Sequence, residues 1–372
     1  MPFYEYRKQY TGINFNHVFS HATSADVDAV LAKQSIDTND YLVLLSDAAA
    51  ARLEDLAQKT RTLTQRHFGN AVVMYTPLYL SNHCVNECAY CSFSKRHAIE
   101  RRTLSFDDVG REAEEIARTG MRHVLILTGE SRKHTPPRFV GECVAILRDY
   151  FASITIEIYA LSAEEYGDLI DAGVDGLTIY QETYDEKLYA DLHAGGPKAD
   201  YRFRIEAPER ALSQNIRSVN IGALLGLHDP RIDAFFTGLH AAYLQKTFPA
   251  AEVAVSFPRL RPLVSEFSGA RTVADPLFVQ LLCAFRLFCT SAGITISTRE
   301  SSRFRGNILP LGVTRMSAGS STAVGGRIGE ATVGQFEIAD TRSVAEVRDE
   351  LVRLGYQPVM HDWNNKMYGE RV

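Results

Sequence analysis

From about residue 71 the chain alternates between short apolar runs and longer amphipathic stretches. VVMYTPLYL (72–80), HVLILTG (123–129), SITIEIYAL (153–161) and GLTIYQET (176–183) are strand-length apolar segments. SVNIGALLGL (218–227), EVAVSFPRLRP (252–262), ITISTRE (294–300) and PLGVTRMSAG (310–319) continue the series. Between them lie helix-period segments such as SFDDVGREAEEIARTG (105–120), PPRFVGECVAILRDYF (136–151) and AEEYGDLIDAG (163–173). Ser105 with Asp108 has the form of a capping box, and Gly120 offers a left-handed stop. Apolar strands that do not alternate with polar residues are buried on both faces, which indicates a parallel sheet covered by helices. Eight of them in about 250 residues predict an α/β fold, a closed (β/α)8 TIM-type barrel over 71–320. An open doubly wound sheet is the alternative. Two helical patterns, around SADVDAVLAKQ and SDAAAARLEDLAQKTRTLTQRHFG, predict an N-terminal helical extension over 1–70. A helix around VAEVRDELVRLG places a C-terminal elaboration, packed on the barrel, over 321–372.

In such a barrel the strand C-termini and the loops after them build the active face. The polar groups fall there. Cysteines follow the first strand and TGE the second; YQET closes the fourth, PRLRP the sixth, STRE the seventh and MSAGS the eighth.

Composition narrows the class. The 372 residues are 45% hydrophobic and 23% charged, which excludes disordered, collagen-like and disulfide-dense chains. A net charge of −5 gives no reason to expect nucleic acid or an anionic membrane as partner. The basic run SKRHAIERR (94–102) reads as solvated surface or as the neighbour of an anionic ligand. The N-terminus lacks the apolar core of a signal peptide, and no apolar run approaches the ~18–20 residues of a membrane span. The expectation is a cytoplasmic protein with reduced thiols. Cys143, Cys283 and Cys289 sit in apolar helical contexts and read as core fillers.

The other three cysteines, Cys84, Cys88 and Cys91, lie within SNHCVNECAYCSFS (81–94). A closed structural metal site takes four protein ligands, whereas a catalytic one keeps a position open for substrate. His83 or His97 could complete a zinc site of three cysteines and one histidine, which leaves a non-catalytic zinc-binding scaffold as one reading.

The spacing C-x3-C-x2-C with an aromatic residue, Tyr90, before the last cysteine resembles the cluster motif of the radical S-adenosylmethionine (SAM) superfamily. YQETY (180–184), SFPRLRP (256–262), STRESSRFR (297–305), MSAGSSTAVGG (316–326) and PVMHDWN narrow the likeness. Together they are similar to the aromatic amino-acid lyases of that superfamily, most of all to the tyrosine lyases of thiamine thiazole biosynthesis. The resemblance implies a 4Fe–4S cluster on Cys84, Cys88 and Cys91, with the fourth iron chelated by SAM. It implies that an electron from the cluster cleaves SAM to methionine and a 5′-deoxyadenosyl radical. That radical takes a hydrogen atom from L-tyrosine, whose Cα–Cβ bond then breaks to give 2-iminoacetate (dehydroglycine) and p-cresol. A thiazole synthase that receives the product and a reducing electron donor are implied as partners.

The same resemblance assigns roles. Glu130, ending TGE, would bind the SAM amino group, and Tyr90 the adenine. Glu182 would take the ribose hydroxyls or the amino group. Arg204 would hold the SAM carboxylate, unless it forms an ion pair with Glu206. Arg259, Arg261, Arg299 and Arg305 are more cations than a barrel mouth can bury without anions to meet them. Arg305 is expected to anchor the tyrosine carboxylate, helped by Ser297 or Thr298. Arg299 serves the site or pairs with Glu300, and Ser317 and Ser320 complete a polar lining. GSSTAVGGRIGE lacks the phosphate-loop pattern and reads as a flexible lid over the mouth. A tryptophan lyase remains open as a substrate alternative. The hydrogenase-maturing tyrosine lyases carry further cysteines in a C-terminal extension, and this sequence has none after Cys289.

Overall fold

Eight parallel strands close into a ring. They are β1 (Ala71–Ser81), β2 (His123–Thr128), β3 (Ser153–Glu157), β4 (Gly176–Glu182), β5 (Ser218–Ala223), β6 (Glu252–Ser256), β7 (Gly293–Ile296) and β8 (Arg315–Ser317). Hydrogen bonding runs in chain order from β2 to β8, then to β1, and from β1 back to β2. The computed structural model describes residues 1–261, 267–329 and 331–361. Pro262 of SFPRLRP, Glu330 of the glycine-rich loop and residues 362–364 of PVMHDWN lie outside the described residues.

The barrel follows from the apolar runs, but several strands end sooner than those runs do. β5 stops at Ala223, yet Leu224, Leu225 and Leu227 remain buried. Leu224 and Leu227 join Leu192 in a small second cluster, packed against Ala89, Tyr90 and Leu260. The apolar signal therefore continues past the ladder because the loops at the mouth have a core of their own. At the eighth candidate the opposite end is trimmed. Leu309–Leu311 forms a 3-10 turn, and only Arg315–Ser317 pairs.

A ninth strand, β9 (Gln357–Val359), lies beside the first residues of β1, with Ala71 opposite Gln357 and Val73 opposite Val359. β1 meets β2 only from Thr76 onward. The C-terminal segment thus returns to the end of the barrel opposite the mouth. Three partly exposed residues carry no period, so the sequence shows no strand there.

The N-terminal segment is more broken than its two helical patterns suggest. Helices at Phe3–Tyr6, Phe15–His21 and Thr38–Leu44 are added, and the long pattern divides into Asp47–Ala50 and Leu53–Phe68. Thr23 and Asp37 each close a capping box. Tyr41 is fully buried and donates its hydroxyl to the Ala234 carbonyl at 2.8 Å. This fastens the segment to the helix Pro230–Thr247, where a Cβ on Gly238 would stand 2.5 Å from the Tyr41 ring. Cys143, Cys283 and Cys289 are buried in the core, as their contexts predict. Among the described residues no helix is long and apolar enough to cross a membrane.

Candidate active site at the barrel mouth

The cysteines lie on the loop that leaves β1, between Ser81 and its bridge partner Thr103. Cys88 is buried, and Cys84 and Cys91 are partly exposed. The loop is held by its own backbone. Val85 N donates to Glu130 O at 2.8 Å, Glu87 N to Gly195 O at 2.9 Å and Ala89 N to Leu192 O at 3.0 Å. Arg101 acts as an internal staple. Its guanidinium donates to the carbonyls of Asn82, Phe93, Ser94 and His97. Lys95 and Arg96 pair with Glu87, and Arg102 with Asp108. The basic run 94–102 is therefore largely neutralised from within the protein.

Gly129 of TGE has a steric reason to be glycine. A Cβ there would fall 2.3 Å from the His83 carbonyl oxygen and 3.1 Å from the Cys84 Cβ. Gly129→Ala is expected to destabilise the protein by ~1–3 kcal/mol, the usual cost of overpacking. It should also lower the iron retained after anaerobic reconstitution. Thermal melting and iron analysis check both, and a variant with wild-type iron content would remove the constraint.

Burial pushes the Cys88 thiol up to about 12 and raises that of Cys91, with neighbouring cysteines adding to the rise. Buried thiols such as these two become stable thiolates beside a strong positive charge, which iron supplies. This donor set fits a cluster held by three cysteines. A single zinc ion fits less well. His83 stacks on His134 at 3.7 Å, and the His97 Nδ1 bonds the Ser92 carbonyl at 3.2 Å. Among the described residues no three His, Cys, Asp or Glu side chains are placed to hold a metal ion directly.

A buried polar chain connects this loop to β4. Glu182 ends β4 at a bulge with φ of +72°, a conformation that a residue with a side chain adopts rarely and mainly at functional sites. Lys198 Nζ stands 2.6 Å from its carboxylate and 3.2 Å from the Tyr90 hydroxyl. The Tyr90 hydroxyl is 2.9 Å from His193 Nε2, and His193 Nδ1 is 2.8 Å from the Tyr189 carbonyl. Burial holds His193 neutral, its pKa pushed down to about 3. The carbonyl requires a proton on Nδ1, so Nε2 accepts from Tyr90. Burial also pushes the Glu182 carboxyl up, but Lys198 and Arg204 overcome this and hold it below its ordinary value. Arg204 donates to the Tyr180 carbonyl at 2.8 Å and approaches Glu182 at 3.6 Å. Glu206 pairs with Arg202, so the ion pair weighed for Arg204 does not form. Glu130 lies on the other side of the loop, where its carboxylate accepts from Asn86 Nδ2 at 2.6 Å.

Below these groups a cavity opens inside the barrel. Its walls include Tyr75, Tyr79, Tyr180, Phe257 and Phe336, with Glu157, Ser297, Arg299, Ser317 and Ser320 as polar members. The arginines divide sharply around it. Arg259 pairs with Glu300 and Asp275, and Arg261 reaches Glu300 at 3.5 Å. Arg305, expected to anchor the substrate, is fully buried away from the cavity. It pairs with Asp340 and donates to the Ser317 carbonyl. That expectation is corrected because both ends of its guanidinium are committed within the protein. Arg299 has no acidic partner among the described residues, since Glu300 is taken by Arg259. Its guanidinium lies 3.4 Å from the Phe336 ring centroid and lines the cavity. The hydroxyls of Ser297 and Ser317 accept the backbone N–H of Arg299 and Thr298 at 3.4 Å and 3.0 Å. The Ser320 hydroxyl is buried without a partner among the described residues.

The glycine-rich loop is anchored at Arg327. Arg327 donates from its backbone to Glu112 at 2.7 Å and from its side chain to Thr76 and the Gly319 carbonyl. Glu112 is buried on the helix Phe106–Arg118, so Arg327 ties this part of the loop to the barrel shell.

The sequence reading missed Arg101, Lys198 and His193, whose partners are backbone carbonyls or residues far along the chain. It also missed Glu157, a charged residue in the middle of the run SITIEIYAL, where the paired strand ends.

Comparison with known proteins agrees with this geometry. Residues 78–236 match the family profile described as the radical SAM superfamily, and 256–357 match the Biotin and Thiamin Synthesis associated domain. The chain is 39% identical to the 2-iminoacetate synthases of Salmonella typhimurium and Escherichia coli over 345 residues, 92% of each chain. Among solved structures it superposes on HydG, a maturase of the FeFe-hydrogenase, with a TM-score of 0.91 at 29% identity. That match covers 98% of this chain and 81% of the maturase. Methylornithine synthase shares the fold, with a TM-score of 0.72 at 22% identity.

Proposed function

Since the chain belongs to the radical SAM superfamily, and within it to the 2-iminoacetate synthase family, we propose that it splits L-tyrosine at the Cα–Cβ bond. The products are p-cresol and 2-iminoacetate. The observation that carries this reading is Arg299, a guanidinium without an acidic partner among the described residues, facing an aromatic cavity beneath the cysteine loop. An α-amino acid with an aromatic side chain meets both features, its carboxylate on the guanidinium fork and its ring between the walls.

When bound, the 4Fe–4S cluster and SAM supply a carbon radical that abstracts a hydrogen atom from the substrate. Cys84, Cys88 and Cys91 hold the cluster, and Tyr90 places the loop through its hydroxyl chain. Glu130 and Glu182 take the amino group and the ribose of SAM, and Arg204 its carboxylate. Ser297 and Ser317 fix the backbone around Arg299. The apolar rim formed by Leu192, Leu224 and Leu227 limits water entry, which a hydrolysable imine product requires. A thiazole synthase that consumes the imine and a low-potential electron donor complete the scheme. The name of the C-terminal family domain supports the thiamine connection.

Anaerobic turnover of the reconstituted protein with SAM, a reductant and tyrosine is expected to release p-cresol with 5′-deoxyadenosine, read by chromatography. Methylindolic acid from tryptophan without p-cresol from tyrosine would overturn the assignment.

A further inference from the structure

Glu157 closes β3 and lines the same cavity, half-buried. In the eight-strand ring β3 and β7 stand four strands apart, so Glu157 and Arg299, which follows β7, face the cavity from opposite walls. Among the described residues nothing hydrogen-bonds to or pairs with the Glu157 carboxylate. Of the tyrosine hydroxyls around it, that of Tyr79 is engaged elsewhere, donating to Gln335 at 2.7 Å, and those of Tyr75 and Tyr180 make no hydrogen bond to Glu157 among the described residues. The cavity therefore presents an anion without a donor opposite a cation without an anion, with aromatic rings between them. Desolvating an unpaired carboxylate is costly, and a ligand donor would relieve that cost.

We propose that Glu157 selects tyrosine, accepting the hydrogen bond of the substrate phenol while the α-carboxylate rests on Arg299. This rests on the tyrosine-lyase reading and adds the specificity determinant to it. The amine is excluded as the partner of Glu157 by distance along the substrate. It sits one carbon from the carboxylate and stays on the Arg299 side, where the free Ser320 hydroxyl lies. The phenol oxygen is the polar atom at the far end. Thr295 Oγ1 is also unpartnered at the cavity floor, but an ionised acceptor makes the stronger bond.

Burial pushes the Glu157 carboxyl up to about 7; Arg299, Arg204 and Lys198 pull it down, and Glu182 pushes it up. The phenols of Tyr75, Tyr79 and Tyr180 also face it. The ionised form is the better acceptor. Tyrosine binding should therefore tighten as pH rises through about 7, while phenylalanine binding stays level.

Equilibrium dialysis of labelled tyrosine and phenylalanine against the anaerobic holoenzyme with SAM, at pH 6 and pH 8, tests this. Glu157→Leu should weaken tyrosine binding by about 10- to 150-fold, the range for a hydrogen bond to a charged group, and leave phenylalanine unchanged. Glu157→Gln keeps the shape and an acceptor, and should abolish the pH dependence while retaining part of the preference. An unchanged tyrosine-to-phenylalanine ratio in Glu157→Leu, or an equal loss of both ligands, overturns the proposal. Should the leucine variant not hold its cluster, a glutamine variant with wild-type ratio and pH profile overturns it equally. Release of p-cresol by the wild-type preparation is scored separately. Its absence sinks the lyase reading, whereas its presence beside an unchanged ratio sinks only the role of Glu157.

Discussion

Arg299→Met is expected to lower kcat/KM for tyrosine by about 30- to 5,000-fold while leaving the fold as stable as before. The range corresponds to ~2–5 kcal/mol, the cost of removing one partner from a desolvated charge pair. The other partner here is the substrate carboxylate. Without ligand the guanidinium lies against Phe336 with no ion-pair partner among the described residues. Burial holds its pKa below the ordinary arginine value, with Tyr79 and Glu157 pulling it back up. The cost of burying an unpaired cation opposes its contact with the Phe336 ring, so its removal should leave the denaturation midpoint close to that of the wild type. Arg299→Lys keeps the charge but loses the two-pronged fork, and should retain part of the activity. Initial rates of p-cresol formation, with denaturation of the same preparations, read both effects. A methionine variant with wild-type kcat/KM would end the case for Arg299 as the carboxylate anchor.

The contrast among the arginines also shows what the sequence could convey. Eight apolar runs were enough for the barrel, because burial on both faces leaves no polar alternation to confuse with a surface strand. Three cysteines in eight residues were enough for the cluster loop, because ligand spacing is local. The choice between Arg299 and Arg305 was not local. It depends on Asp340, a residue 35 positions beyond Arg305 with no motif around it, and on Glu300 turning toward Arg259 rather than its own neighbour. The chain from Glu182 through Lys198 and Tyr90 to His193 was hidden for the same reason. Its members lie up to 108 residues apart and meet only because the helix Glu186–Leu192 lays residues 192–198 along the cysteine loop.

Arg305→Met should therefore act in the opposite sense to Arg299→Met, with a large loss of stability and a smaller intrinsic effect on chemistry. Arg305 is fully buried, and its partner Asp340 is 1% exposed at the side chain. Removing one member of a buried pair typically costs 3–5 kcal/mol, because the remaining charge is left in a medium that cannot solvate it. Arg342 also reaches Asp340 at 2.7 Å, so part of that charge stays compensated and ~3 kcal/mol is the expected loss. The Ser317 carbonyl loses a donor as well. That loosens the short β8 strand, which carries the Ser317 hydroxyl under Thr298 and through it the backbone leading to Arg299. The double variant Arg305→Met, Asp340→Leu removes both charges and should recover much of the loss, since an apolar replacement of a buried pair is often neutral. Chemical denaturation of the wild type, both single variants and the double variant gives the coupling between the two residues. If Arg305→Met unfolds like the wild type but loses tyrosine binding, the guanidinium belongs to the substrate after all, and the division between the structural and the functional arginine is wrong.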